Sequence, residues 1–294
     1  MARAPVEPTT TAVRKAGPSS LPPKLTHYTD LAGLQGIVEN KELWLSNAVF
    51  LNDPEEINHG IKMAQRVLNS LLKSTKTPDA VSKGRQKLIA DIAKDFEKFQ
   101  APDVFITCLC EDSDLLSQWR GYSSRQGVNI TFDTNELLQM LFGSNVELHQ
   151  VQYGMAATRA HLTALISDEL PDIFDDFEFM MGDLSTTEIK AAFSKLVANL
   201  VPRFKHAGFQ EEREWRLVMM NPEPEDILFR PRAQMMLPYV KVKLEDDFDL
   251  LPIENITVGP GMQDAAVAKS ISYFLQANGY DPDIVDQSAT PYRT

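Results

Sequence analysis

Val104-Phe105-Ile106-Thr107-Cys108-Leu109 is an apolar run of strand length, the pattern of a strand buried inside a sheet. Downstream, Val128, Ile130 and Phe132 alternate with polar residues as in a half-buried strand, and Val146–Tyr153 alternates more weakly. Glu214–Met219, Leu237–Val242, Ile253–Val258 and Ile284-Val285 continue the series; Leu25–Tyr28 and Leu43–Ser46 precede it. Helix starts stand between these strands. Asp53-Pro54-Glu55-Glu56 supplies a capping Asp, a proline at the first helical position and a Glu three residues after the cap. Asp133-Thr134-Asn135-Glu136 and Ser185-Thr186-Thr187-Glu188 follow the capping-box pattern, the second leading into an apolar face of Ile189, Phe193, Leu196 and Val197. Gln263–Ala277 reads as a late helix ending at Asn278-Gly279. Strands and helices mix without strict alternation, which predicts an α+β domain rather than a doubly wound sheet.

The chain has 294 residues, with 29 Lys+Arg against 41 Asp+Glu, a formal net charge of −12. Its 43% hydrophobic and 24% charged residues are ordinary globular usage, which excludes a wholly disordered, collagenous or coiled-coil chain. No apolar run has the roughly 20 residues of a membrane helix, and the first residues lack a secretory leader's apolar stretch. Two cysteines cannot make a disulfide framework, so the expectation is a cytoplasmic protein. The acidic surface argues against membrane partners and against non-specific DNA binding by the whole surface, but leaves room for a local basic cleft holding a small nucleotide. Residues 1–23 hold five prolines and no aromatic, the composition of a disordered tail. Residues 24–294 are expected to form one domain, with a helical insertion at about 156–200.

Four constellations could carry chemistry. Thr26-His27-Tyr28-Thr29-Asp30 lies where a strand gives way to a helix whose apolar face is Leu31, Leu34, Ile37 and Val38. Backbone N–H groups there favour an anion, and an imidazole can meet a ribose hydroxyl; on spacing alone, a surface His before an ordinary capped helix is the simpler reading. In Leu51-Asn52-Asp53-Pro54-Glu55-Glu56, capping explains all the polar residues but Asn52. Ser117-Gln118-Trp119-Arg120-Gly121-Tyr122 could stack a flat ring and clamp a phosphate, or be a short core-packed helix with a solvated Arg. In Glu211–Val218, strand parity puts Glu212, Glu214 and Arg216 on one face, and Arg213, Trp215 and Leu217 on the other. Two carboxylates at that spacing could divide the work of stabilising a cationic sugar and orienting the attacking group. A charged edge strand, or a plain Glu214–Arg216 ion pair, would give the same pattern. Cys108 and Cys110 lack the second pair a zinc site needs, and no metal site is expected.

Together these segments resemble the bacterial and phage domain-of-unknown-function family 2971. The resemblance is carried by His27-Tyr28-Thr29, Leu43-Trp44-Leu45-Ser46, Leu51-Asn52-Asp53, Ser117-Gln118-Trp119-Arg120, Gly127-Val128-Asn129-Ile130, Glu212-Arg213-Glu214-Trp215-Arg216, Gly259-Pro260 and Ser288-Ala289-Thr290-Pro291-Tyr292-Arg293. Their layout is in turn similar to the ADP-ribosyltransferase superfamily, with a His on the first strand and a catalytic Glu on a late one. That likeness implies a split, mixed β core with helical insertions that pinches NAD, the substrate. It implies His27 on the adenosine-side ribose or phosphates, with Tyr28, Thr29, Asn52 and Ser117 among the binding residues. Trp119 or Tyr122 would stack on nicotinamide and Arg120 would pair with pyrophosphate. Glu214, with Glu212 as partner, would stabilise the oxocarbenium-like transition state. The implied activity is NAD cleavage with transfer of ADP-ribose to an acceptor, as in a toxin or anti-phage effector. The alternatives are a non-catalytic nucleotide-binding or structural module of the same fold, and a hydrolase or phosphotransferase acting on nucleotide ends.

Overall fold

The computed structural model describes residues 21–51, 55–74, 90, 94, 103–122, 126–164, 199, 201–232, 234–244, 250–261 and 264–291. The apolar run is strand β3 (Val104–Cys110), and the sheet is organised around it. Upstream lie β1 (Lys24–Asp30), helix α1 (Leu31–Asn40), β2 (Glu42–Asn47) and α2 (Glu55–Ser74). Downstream follow α3 (Leu116–Tyr122), β4 (Gly127–Asp133), α4 (Thr134–Met140), β5 (Val146–Gln150), β6 (Gln152–Tyr153) and helical residues 154–164. Then come β7 (Phe204–Lys205), β8 (Glu214–Met220), β9 (Leu228–Arg232), β10 (Met235–Lys243), β11 (Ile253–Val258), α5 (Asp264–Ala277) and β12 (Val285–Gln287). The protein is α+β, with an open, mixed and mostly antiparallel sheet.

Strand β8 lies antiparallel along the whole of one edge of β3, from Val104↔Met220 to Cys110↔Glu214. Two strands share the other edge. β1 meets it at Thr26↔Cys110, and β2 at Ser46↔Ile106 and Asn47↔Phe105. Both run antiparallel to β3, so they are parallel to each other and need the α1 crossover that joins them. Away from β3 they diverge. β1 continues along β4 over seven residue pairs, then the sheet proceeds to β11 and β12; β2 continues along β10 to β9. The sheet therefore forks at β3, leaving a notch between β1 and β2.

Parity assigns the two faces. Leu25, Phe105, Leu109, Ile130, Trp215 and Leu217 belong to the main core, with α1, α4 and α5 contributing Leu34, Ile37, Leu137, Ile271 and Leu275. The opposite face carries a small cluster of Ala48, Val104, Ile106, Val201 and Val218, and a second of Tyr28, Cys110 and Trp119. Helix α1 starts as its sequence demands: Asp30 accepts from the Gly33 amide at 2.8 Å, and Lys41 closes the helix in the left-handed region at φ 52°. Leu31, in the first turn, stays exposed rather than joining the apolar face. Asp133 caps α4 by accepting from the Glu136 amide.

Several sequence expectations change. Val146–Tyr153 breaks at buried Val151, whose amide donates to the Glu214 carbonyl; beyond it β6 pairs in parallel with β7. β8 starts at Glu214, as expected, but the strand alternation does not extend back to Glu212. Residues Ala207–Glu212 form a 3₁₀ turn, and Arg213 at φ 40° ends it, so Glu212 does not share strand parity with Glu214. β8 is flanked by β3 and β5, which removes the edge-strand reading. β9 has no clear sequence signal because Pro231 interrupts it; a proline is tolerated at this outer edge of the sheet. The Asp53-Pro54 cap, the Ser185 capping box, most of the expected insertion and residues 1–20 lie outside the described residues. Among the described residues, no helix is long and apolar enough to cross a membrane.

Candidate active site

Glu214 opens β8 opposite Cys110, and its carboxylate is 2% exposed. Oε1 accepts from Arg216 Nε at 2.7 Å; Oε2 accepts from Lys205 Nζ at 2.8 Å and Arg216 Nη2 at 3.2 Å. The Cys108 thiol is close enough to favour the ionised form as well. Burial alone would raise this carboxyl. The guanidinium of Arg216 and the ammonium of Lys205, with those hydrogen bonds, overcome it and hold Glu214 at about 2. Lys205 Nζ also reaches Glu212 at 2.7 Å, so one ammonium spans both acids even though they sit on different elements. The Arg216 Nη1 donates to the Pro202 carbonyl at 2.7 Å, and the Glu214 amide donates to the Tyr153 hydroxyl at 2.8 Å.

Beside this cluster is a cleft of about 320 Å³ lined by Glu111, Gln150, Tyr153, Gln210, Arg213 and Glu214, among others. The loop after β3 is tied to the start of β8: Trp215 Nε1 donates to Glu111 Oε1 at 2.9 Å, and Arg213 pairs with Asp112 at 3.3 Å. The cleft wall is thus braced by two strand ends. Among the described residues, no group of three or more His, Cys, Asp or Glu is arranged to hold a metal.

His27 is half-buried and sits in the fork. Its Nδ1 lies 3.0 Å from the Cys108 carbonyl. A carbonyl only accepts, so Nδ1 carries the proton and, in the neutral ring, Nε2 is the acceptor. Burial pushes the imidazole below its ordinary pKa, against the effect of that hydrogen bond. His27 and Glu214 therefore converge on one residue, Cys108, from opposite directions. His27 has the parity of Leu25 on the main-core face, whereas Glu214 shares the face of Cys110 and Tyr28. They do not open into one hollow.

Tyr28 and Trp119 do share the Glu214 face. Their rings meet edge-on at 4.8 Å against Cys110. Both are enclosed and committed. Tyr28 Oη donates to the Asp112 carbonyl and accepts from the Leu115 amide, each at 2.9 Å. Trp119 is 0% exposed, and its Nε1 donates to Asp114 Oδ1 at 2.7 Å, so its ring offers no surface for nicotinamide. Asp114 also accepts from Ser288 Oγ and from the Ala289 amide, which fastens the Ser288–Pro291 segment onto the start of α3. Burial raises the Asp114 carboxyl, but the hydrogen bonds from Ser288, Trp119, Ala289 and Thr290 bring it below its usual value.

Of the remaining expected residues, Thr29 is half-buried on the His27 face, and Arg120 is exposed in the last turn of α3. Ser117 Oγ is buried and has no hydrogen-bond partner among the described residues. Tyr122 ends α3, its side chain outside the described ones, and Asn52 lies outside the described residues altogether. Sequence reasoning missed Lys205, Tyr153, Cys108 and Asp114. Only Asp114 left a trace, as part of the acidic stretch before the Ser-Gln-Trp segment; Lys205 sits in a two-residue strand with no pattern of its own.

The chain is similar over residues 118–217 to the family described as "Protein of unknown function (DUF2971)". That match begins inside α3 and ends in β8, taking in Trp119, Arg120, Glu212 and Glu214. No curated protein and no solved structure matches the chain.

Proposed function

We propose that the protein is an ADP-ribosyltransferase-like enzyme that cleaves NAD and transfers ADP-ribose to an acceptor. The observation that carries this reading is Glu214, whose buried carboxylate is held ionised beside a cleft that the residue helps to line. Cleavage breaks the bond between the ribose anomeric carbon and the nicotinamide nitrogen. Nicotinamide leaves with the electron pair, and positive charge grows on the ribose. A fixed, ionised carboxylate stabilises that charge without reorganising. In this reading Glu212 orients the acceptor nucleophile, and His27 Nε2 accepts from a ribose hydroxyl on the adenosine half. The two halves of the dinucleotide then occupy opposite sides of the β3 end. The resemblance in layout to the ADP-ribosyltransferase superfamily supports the same assignment.

A second reading has its own observation. Both Glu214 oxygens already have cationic partners, and Tyr28 and Trp119 are enclosed. The motifs would then hold the core of a non-catalytic nucleotide-binding or structural module. Nicotinamide release from NAD separates the two, measured on the wild type, Glu214→Gln and His27→Phe, with thermal melting as the folding control. The enzyme reading expects release by the wild type and a hundred- to thousand-fold loss in a folded Glu214→Gln. A melting shift with NAD but no release supports the module.

A further inference from the structure

His149 does not line the cleft, yet the sheet sets it beside the Glu214 cluster. The register of β5 against β8 puts it opposite Arg216, with Glu147 two residues back on the same face. Across this face runs the segment that carries Lys205, a 3₁₀ turn at Val201–Arg203 followed by β7. From behind, α2 presses on it: a Cβ added at Gly60 would sit 2.7 Å from the Val201 carbonyl. On the sheet side, polar contacts hold the segment. Arg216 Nη1 donates to the Pro202 carbonyl at 2.7 Å and Lys205 Nζ to Glu214 Oε2 at 2.8 Å. Between them, Arg203 Nη2 lies 3.3 Å from His149 Nε2.

The middle contact is contested. Glu147 Oε2 lies 2.8 Å from the same Nε2. A guanidinium only donates and a carboxylate only accepts, so one ring nitrogen cannot serve both. With Nε2 bare and the proton on Nδ1, the neutral ring accepts from Arg203. With a second proton, taken from solvent onto Nε2, the ring donates to Glu147, and two positive charges face each other where the hydrogen bond was. The His149 and Arg203 side chains are only 12% and 22% exposed, so water screens little of that repulsion. The neighbouring elements add further charges. Arg216, opposite on β8, is engaged with Glu214 and Pro202; His161, from helical residues 154–164, acts on Arg203; on α2, Lys62 and Arg66 are exposed. Burial above all pushes the His149 imidazole below its ordinary 6.5, the Glu147 hydrogen bond opposes that, and the Arg203 charge adds to it. The ring is therefore neutral at pH 7 and charges in the acid range.

We infer that His149 is a protonation-sensitive latch on the segment that carries Lys205. The neutral ring holds Arg203 and keeps the segment on the sheet. The charged ring turns to Glu147 and lets the segment loosen, Lys205 with it. The latch does not depend on NAD being the ligand of the cleft. Hydrogen exchange of the full chain, corrected for the intrinsic pH dependence of amide exchange, tests it between pH of about 7.5 and about 5. In the wild type, peptides covering 201–205 should exchange about five- to tenfold faster at the acid end, the loss of one net hydrogen bond, while β3 stays unchanged. His149→Gln keeps an acceptor for Arg203 that takes up no proton, so its exchange in 201–205 should not follow pH; His161→Gln should respond as the wild type does. A second measurement needs no variant: nitrogen-15 shifts of the His149 ring should show a bare Nε2 at the neutral end and both nitrogens protonated at the acid end. The inference is overturned by a wild type whose 201–205 exchange ignores pH, by a response that persists in His149→Gln or vanishes in His161→Gln, or by an Nε2 that already carries the proton at the neutral end.

Discussion

Glu214 concentrates most of the energetic risk in one side chain. It is buried with two cationic partners, so removing it takes from Arg216 and Lys205 the carboxylate they share in low-dielectric surroundings. Breaking such a buried arrangement costs roughly 3–5 kcal/mol. Glu214→Ala should therefore lower the denaturation midpoint sharply in urea, and Glu214→Gln, which keeps an acceptor, less so. The pH dependence has a defined sign. The carboxyl moves from an ordinary 4.5 to about 2 on folding, so its contribution to stability is complete above 4.5 and is lost as the pH falls toward 2. The span corresponds to roughly 3 kcal/mol. Urea titrations between neutral pH and pH 3 should show that loss in the wild type and a flatter curve in Glu214→Gln. His27 tests the opposite side of β3. His27→Phe keeps a ring in the fork but deletes both the Nε2 acceptor and the Nδ1 donor to the Cys108 carbonyl; NAD binding should weaken by about tenfold, the worth of one net hydrogen bond, and the melting temperature should fall in the absence of NAD as well.

At the scale of elements, the fold is closed by a strap and a contact. The strap is Ser288–Thr290, gathered by Asp114 ahead of α3. The contact is Gly259, at the end of β11, where an added Cβ would sit 2.7 Å from Trp119 Cε3 and 3.0 Å from the Gly127 carbonyl. Backbone and an enclosed indole cannot yield there. Gly259→Ala should destabilise by about 1–3 kcal/mol in equilibrium denaturation and should perturb the near-ultraviolet signal of Trp119. Asp114→Asn should weaken the strap and speed amide exchange in 288–291 without affecting exchange in the β3 core. These contacts explain why His-Tyr-Thr, Ser-Gln-Trp-Arg, Gly-Pro and Ser-x-x-Pro segments, far apart in the chain, occur together: they pack on one end of the sheet around Tyr28, Trp119 and Asp114. The strands were legible because their apolar runs and period-2 alternation are local properties. The fork was not, because it depends on two strands sharing one edge of β3. Glu212 was misplaced by one backbone angle, the positive φ of Arg213, which no alternation pattern reveals. Trp119 was open to two readings, a stacking platform or a core residue, since burial is decided by Gly259 and Tyr28 rather than by its neighbours in sequence.

For the whole molecule, the half-buried histidines add a second pH window. Burial lowers the pKa of His27, His149 and His161, so each is preferentially neutral in the folded protein. The unfolded chain binds those protons first as the pH falls below 6.5, and stability should decline from there, before the carboxylate loss near 4.5 begins. A melting-temperature profile with two successive declines would register both. If NAD is held at the β3 end as proposed, His27 on one side and Glu214 on the other are both shielded by it. Hydrogen exchange with and without NAD tests this most directly. Slowed exchange is expected in both residues 24–31 and residues 207–216, with β9 and β10 unchanged; slowed exchange in neither segment, or only on β9 and β10, would contradict NAD binding there.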